Sequence, residues 1–451
     1  MFRILIVSIS TIFFIPSTRE DKTEFTSIEE VFPLHWKTNI GNVSFRENLL
    51  LTPDEIIIGS NGERYMDYNI TDQKAGVYKI NRKNGKIKKH FGNEVIGDMD
   101  VNGLLLYDNK LYYSNDNEEL ICTTPEGKLI WIKPTSGDIE HEPVLLKHNG
   151  MNMIVFATET GEVRAIEPEK GKTIWTYYTP DFKGWRPTDN RMIFKVKSYF
   201  SNTYNFYTKP IIKDLNGDGT NDLIYHCRSG ELYAINGSNG KLLWKNDKIF
   251  FYHIEMIPDT KKNSSLLAIG MIKEFMNETN YKSYIMKLKN NGDYNIIQDF
   301  SNNNTIGLNF YVNGNETLIN TDTHLFTFSN NKLSDSSDRK FMVNKLNDWG
   351  GYNYELNINH SDMLFANKSF HYKDYGPCLI NLVQRNLDDY QSGFIEIITL
   401  KNKQIVERLK LPGSSEMQPK IEDINQDGKL DLLINCSDNN LYCYSIGKTV
   451  N

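Results

Sequence analysis

The sequence has little of what builds or runs many proteins of its size. It holds only five cysteines in 451 residues, Cys122, Cys227, Cys378, Cys436 and Cys443, too few and too scattered for a disulfide-built scaffold. Beyond the N-terminus no apolar run approaches the roughly 20 residues that span a bilayer as a helix. No long block of one charge sign occurs and the formal net charge is −6, so the chain carries no electrostatic footprint for nucleic acid or an anionic membrane. It contains no HExxH zinc helix, GxSxG elbow or phosphate-binding glycine loop.

What is present favours strands. Apolar residues make up 39%, with 25 Tyr and 23 Phe, enough for a folded core and biased toward β structure. At the N-terminus Arg3 precedes an apolar run from Ile4 to Ile15 and then Pro16, Ser17 and Thr18, the order of an export signal over residues 1–18; an uncleaved anchor is the alternative. No cysteine follows the run, so lipoprotein attachment at this signal is not expected. If Asp438 and Asn439 form a two-residue hairpin turn, Cys436 faces Leu441 and Cys443 faces Ile434. The two cysteines are then diagonal neighbours about 7–8 Å apart, a strained span for a disulfide, and buried thiols are expected.

Internal repeats set the architecture. GELYAINGSNGKLLW (230–244) matches GEVRAIEPEKGKTIW (161–175), with weaker relatives AGVYKINRKNGKIKK (75–89) and LICTTPEGKLIW (120–131). Each reads as an alternating strand, a glycine turn and a strand ending in an aromatic residue. The GK glycines at 85, 127 and 171 recur at intervals of 42 and 44, and the next, Gly240, follows 69 later. An interval near 40 suits a four-stranded propeller blade, and residues 181–207 account for the excess as an insert. Blades are expected near 48–92, 98–134, 141–180, 208–247, 252–300, 306–343, 353–412 and 417–451. The last unit lacks a closing aromatic strand, whereas LHWKTN (34–39) supplies one without a unit before it. The expected fold is all-β: one eight-bladed propeller over 32–451, closed by the N-terminal strand so that no sheet edge is left open.

Two acidic segments lie in phase with these units: DLNGDGTNDL (214–223) and DINQDGKLDL (423–432). Calcium takes six to eight oxygens, which a tight loop offers at alternate positions where glycine permits a sharp turn. The candidate ligands are Asp214, Asn216, Asp218, the Thr220 carbonyl and Asp222 in the first copy. In the second they are Asp423, Asn425, Asp427, the Lys429 carbonyl and Asp431. Position 12, which is Glu in an EF-hand, is here Tyr225 or Ile434, so these are strand-to-strand loops; plain Asx turns are the competing reading. A third segment, GDMDVNGLL (97–105), has Asp98, Asp100 and Asn102 but Leu106 in place of the last Asp, and is read as an unliganded turn.

The G-x-L/V-x-A-I-x-x-x-x-G-K-x-x-W units resemble the repeats of PQQ-type, quinoprotein-like eight-bladed propellers, and the acidic segments resemble calcium loops of FG-GAP and VCBS repeats. That resemblance implies two structural calcium ions and raises quinone-dependent oxidation as an alternative. Such enzymes commonly carry an adjacent cysteine pair over the quinone. This chain has none, so PQQ is not expected, although a propeller hydrolase or lyase also stays open. His141 and Glu142 read as a surface turn, His226 as a packed strand residue, and Trp131, Trp175 and Trp244 as blade packing.

Binding function is expected in blade inserts, since loops on a rigid scaffold diversify. The insert 181–207 brings Trp185, Phe194, Tyr199, Phe200 and Tyr204 together with Arg186 and Arg191, residue types that dominate binding hot spots. NDWGGYN (347–353) and HYKDYGP (371–377) are lesser candidates. The sequence therefore predicts an exported, calcium-stabilised, non-catalytic binding or scaffold propeller. Its partner would be a protein or glycan at a propeller face, with membrane contact only through a retained N-terminal segment or a partner.

Overall fold

A computed structural model describes residues 26–44, 49–63, 74–92, 100–182, 206, 208–227, 230–260, 263–273, 283–299, 307–313, 316–321, 324–329, 332–338, 363–384 and 393–447. These residues form eight sheets, antiparallel within each blade, arranged as the blades of one propeller. Blades 1 to 7 run from Leu49 to Phe91, Val101 to Pro134, Val144 to Tyr178, Ile211 to Asn246, Ile249 to Asp299, Gly307 to Asp338 and Met363 to Lys410. Blade 8 is built from Lys420–Glu422, Leu430–Cys436 and Asn440–Gly447, with Leu34–Asn39 as its outermost strand. The expected count and the N-terminal closure are therefore both observed.

Burial follows radius. Middle strands are covered by a neighbouring blade on each face and read as continuous apolar runs: every residue of Leu430–Cys436 and of Asp222–His226 is buried. The outermost strand of blade 2, Leu129–Pro134, has no buried residue. The strong repeat motif is explained by a contact that crosses from blade to blade. From the closing strand of blade 8 through blade 4, an aromatic residue on the outermost strand lies against the glycine of the next blade's third-to-fourth turn. A Cβ on Gly85 would stand 2.6 Å from the Trp36 ring, on Gly127 2.4 Å from Phe91, on Gly240 2.5 Å from Trp175 and on Gly292 2.7 Å from Trp244. All four glycines have positive φ, so the position demands both the left-handed backbone and the missing side chain. Indole N–H groups add hydrogen bonds to the same turns, Trp131 Nε1 to Glu169 O at 3.1 Å and Trp244 Nε1 to Asn290 O at 2.7 Å. The repeated tryptophans are blade packing, as expected. Gly292 belongs to the same series although its turn, NNGDY, lacks the GK pair.

The same contact closes the ring. Trp36 stacks on Gly85 of blade 1 and donates from Nε1 to Arg82 O at 3.0 Å, and Thr38 donates to Gly85 O at 2.6 Å. The chain beyond the closing strand is tied to blade 8 by Asn435, whose amide accepts from Val43 N at 2.8 Å and donates to Gly41 O at 2.9 Å. The N-terminal contribution also begins before the expected boundary at residue 32. Thr26–Ser27 pairs in parallel with the outermost strand of blade 7, and Ile28 and Phe32 are buried in the core shared by blades 7 and 8.

One register is corrected. Cys436 faces Asn440 and Cys443 faces Leu433, not Leu441 and Ile434. The connection holds three residues, with Asn439 in the left-handed region at φ 70°, rather than two. A one-residue shift exchanges the faces of a strand: Cys436 packs in the core between blades 7 and 8, Cys443 in that between blades 8 and 1. All five cysteines are buried free thiols.

Candidate metal loops and the opposite face

Because neighbouring strands run antiparallel, the turns of a blade alternate between the two ends of the propeller. First-to-second and third-to-fourth turns share one end, the glycine-turn face. Second-to-third turns and blade-to-blade connections share the other, the crossover face. Both acidic segments join a first to a second strand, so they lie on the glycine-turn face. The insert 181–207 joins blade 3 to blade 4 and therefore starts and ends on the crossover face. The acidic loops are thus separated from the two described ends of that insert by the height of the propeller, whereas HYKDYGP (371–377), which joins the first and second strands of blade 7, lies on the glycine-turn face with them.

In the first loop Asp214 accepts from Gly217 N at 2.7 Å and Gly219 N at 3.0 Å, Asn216 Oδ1 from Asp218 N at 2.8 Å, and Asp218 Oδ1 from Thr220 N at 2.8 Å. Asp222 opens the next strand, fully buried, and each of its oxygens receives a backbone N–H, from Leu215 at 2.9 Å and from Gly237 at 3.0 Å. Burial raises the Asp222 carboxyl above the ordinary range against those N–H groups, while the Thr220 N–H foremost lowers Asp218. His148, from the first-to-second turn of blade 3, holds Thr220 Oγ1 at 2.8 Å.

The second loop repeats much of the pattern, with Asp423 accepting one residue further along, up to its last member. Asp423 accepts from Asp427 N and Gly428 N at 3.0 Å each, Asn425 Oδ1 from Asp427 N at 2.9 Å, and Asp427 Oδ1 from Lys429 N at 2.9 Å. Asp431, fully buried, uses only Oδ2 on the main chain, accepting from Ile424 N at 2.9 Å and Asn425 N at 3.1 Å. Its Oδ1 is enclosed and receives no hydrogen bond; His35 Nε2, from the closing strand, lies 3.2 Å away. Burial raises this carboxyl too. Arg82 of blade 1 clamps the loop, donating to Asp423 O at 2.6 Å and Ile424 O at 2.9 Å.

Among the described residues no three His, Cys, Asp or Glu side chains converge on a cage for a metal ion. The loop carboxylates are turned onto loop N–H groups, as in Asx turns. Fit to a hard cation is therefore carried by the alternating oxygens and, at the second loop alone, by the buried Asp431 Oδ1 without a donor. Tyr225 and Ile434 lie within strands, as the absence of an EF-hand requires. The third acidic segment is not a turn where it is described: Val101–Tyr107 is a strand, and Asn102 within it bonds Asp116. Asp98 lies outside the described residues.

Trp185, Arg186, Arg191, Phe194, Tyr199, Phe200 and Tyr204 fall outside the described residues, as does 347–353. The ends of the insert are described and are fixed. Phe182 lies against Tyr178 with ring centroids 4.5 Å apart. Phe206 is fully buried, 5.0 Å from Tyr225 and 5.5 Å from Tyr233, with a backbone bridge to Cys227. Lys209 pairs with Glu142. Phe206 was legible only as one more aromatic in an aromatic segment; nothing local marks it as an anchor. His141 corrects the sequence reading of a surface turn: it is buried, 5.7 Å from the Tyr225 ring, with Nδ1 on Glu142 O at 2.8 Å. His226 is a packed strand residue as expected. Between blades 2 and 3 the crossover face is acidic, and burial first, then Asp116, Glu159, Glu140 and Glu118, pushes Asp138 well above the carboxylate range. In HYKDYGP, Tyr372 is buried and Tyr375 exposed.

Residues 101–248, blades 2 to 4, match the family profile described as outer membrane protein assembly factor BamB, of the PQQ_2 repeat type. No curated protein matches the sequence. Solved structures similar to this one include BamB from Moraxella catarrhalis, 11% identical over 90% of this chain and 97% of that one with TM-score 0.50. Sqt1 from Saccharomyces cerevisiae is 9% identical over 92% and 100% with TM-score 0.57. A europium-containing methanol dehydrogenase is 12% identical over 91% and 93% with TM-score 0.50. The resemblance to PQQ-type propellers is thus borne out in repeat and in fold. At such identities the structural likeness shows the fold alone, and that fold hosts both an assembly factor and an enzyme.

Proposed function

We propose that this chain is an exported, non-catalytic binding propeller that presents the 181–207 insert on its crossover face to a protein partner of the cell envelope or cell surface, with calcium bracing the two loops of the opposite face. The observation that carries the reading is the fixing of both ends of the insert, above all Phe206, sealed in the core between blades 3 and 4. A long connection leaves and re-enters a rigid scaffold at fixed points, as binding loops on such scaffolds do. The repeat match to an envelope assembly factor supports the compartment. Asp214, Asn216, Asp218, Asp222 and the Thr220 carbonyl would hold one ion, and Asp423, Asn425, Asp427, Asp431 and the Lys429 carbonyl the other. Ions bound only by the folded chain stabilise it by mass action.

The test replaces 183–205 with a short Gly-Ser turn, leaving Phe206 and Lys209 in place. The expected outcome is an unchanged circular dichroism spectrum with loss of the cross-linked partner that the intact chain captures in the envelope fraction. Retention of that partner, or quinone-dependent alcohol oxidation by the intact chain reconstituted with PQQ and calcium, overturns the reading.

A further inference from the structure

The two acidic loops are alike in sequence, and among their differences one concerns a buried oxygen. Asp222 Oδ1 accepts from Gly237 N at 3.0 Å; its counterpart Asp431 Oδ1 receives no hydrogen bond and faces the imidazole of a residue almost four hundred positions away in sequence. His35 Nε2 has two neighbours, Asp431 Oδ1 at 3.2 Å and Asn425 Nδ2 at 3.0 Å. The Asn425 amide is oriented by Asp427 N–H, which Asn425 Oδ1 accepts at 2.9 Å, so its NH2 group points at His35.

These three contacts conflict. If Nε2 accepts from Asn425, it carries no proton and confronts a carboxylate oxygen lone pair to lone pair. If Nε2 is protonated and donates to Asp431, it confronts the amide N–H. In the first case a buried carboxylate oxygen is left opposed by its neighbour, which is costly; in the second the opposed groups are the partly exposed imidazole and the Asn425 amide. A cation between Nε2 and Oδ1 satisfies both acceptors. Turning over the Asn425 amide to offer its oxygen as well would remove only one of two acceptors from Asp427 N–H, because Asp423 Oδ1 also accepts it at 3.0 Å.

We infer that His35 Nε2 and Asp431 Oδ1 together ligate one divalent cation at the seam where the closing strand meets blade 8, which makes the second loop a clasp of the ring. The inference rests on reading that loop as a metal loop and adds a nitrogen ligand to it. Imidazole beside carboxylate and amide oxygens favours a transition-series ion, borderline Zn2+ foremost with Mn2+ as a spectroscopic substitute, over purely oxygen-liking Ca2+. Arg82 on the loop carbonyls and Gln426 on Pro53 O tie the same loop to blade 1. The ion therefore joins the N-terminal strand, blade 8 and blade 1, whereas the first loop meets His148 of blade 3 and packs Leu215 into the core shared by blades 4 and 5.

Mn2+ added to the full chain is the probe. Electron spin-echo modulation is expected to show directly bound nitrogen, changing from 14N to 15N pattern when only histidine is isotopically labelled. His35→Gln should abolish the nitrogen signal and weaken Mn2+ binding at least about tenfold, since losing even an outer partner of a metal ligand costs about 10–100-fold. His148→Gln, at the first loop, should retain it. Mn2+ bound without nitrogen modulation, or modulation that survives His35→Gln, overturns the role of His35; a calcium-induced rise in melting temperature would then leave the metal-loop reading standing. No response of the wild type to Mn2+ or Ca2+ removes both and reduces the contact to an ion pair.

Discussion

At the scale of single residues the glycines separate two costs that sequence cannot distinguish. Gly150 and Gly240 have φ of 79° and 72°, but a Cβ on Gly150 meets nothing within 4 Å and one on Gly240 meets Trp175 at 2.5 Å. Gly150→Ala should cost only the left-handed backbone, about 1 kcal/mol. Gly240→Ala adds an overpacked blade interface and should cost about 2–4 kcal/mol, measured by urea unfolding of both variants. Asp222 and Asp431 supply a second residue-scale prediction. Burial raises both pKa values in the fold, so without metal the folded state holds these protons more tightly than the unfolded chain. Their contribution to stability is greatest at low pH and declines as pH rises through the folded values. Bound calcium favours the carboxylate and reverses that slope, which melting curves across mildly acidic pH with calcium or chelator would reveal.

At the scale of elements the closing strand bears most. Leu34–Asn39 supplies the fourth strand of blade 8, the Trp36 stack on blade 1, and the entry to the loop tied by Asn435. Trp36→Ala removes a buried indole and should cost about 3–5 kcal/mol; deletion of residues 26–39 should also leave Asn440–Gly447 as an open edge, seen as concentration-dependent aggregation in light scattering. The sequence disclosed this strand because it had the closing aromatic with no unit before it. Thr26–Ser27 escaped notice, since a two-residue strand has no periodicity. The Cys436 register escaped for a related reason: a DN pair is a good two-residue turn signal, and only the left-handed Asn439 shows that the connection is longer.

At the scale of the molecule, all five thiols are enclosed in inter-blade cores. Burial pushes Cys122 and Cys378 up to about 11, so thiol reagents should leave the native chain unlabelled at pH 8 and modify five cysteines on unfolding. Calcium should raise the melting temperature. Asp218→Ala with Asp427→Ala should remove the rise, and an undiminished rise in that double variant would exclude the loops as its source.

Composition and period alone pointed to the all-β class, the eight blades and the closing strand, because four units repeat one strand, glycine and aromatic grammar at a spacing near 40 that a single insert interrupts. They also marked the acidic loops, whose ligand candidates lie within one short segment. Tertiary structure alone decided that the acidic loops and the ends of the insert lie on opposite faces, that Phe206 is buried at one of those ends, and that His35 meets Asp431. Those facts depend on strand direction and ring closure, which bring together residues that no local pattern connects.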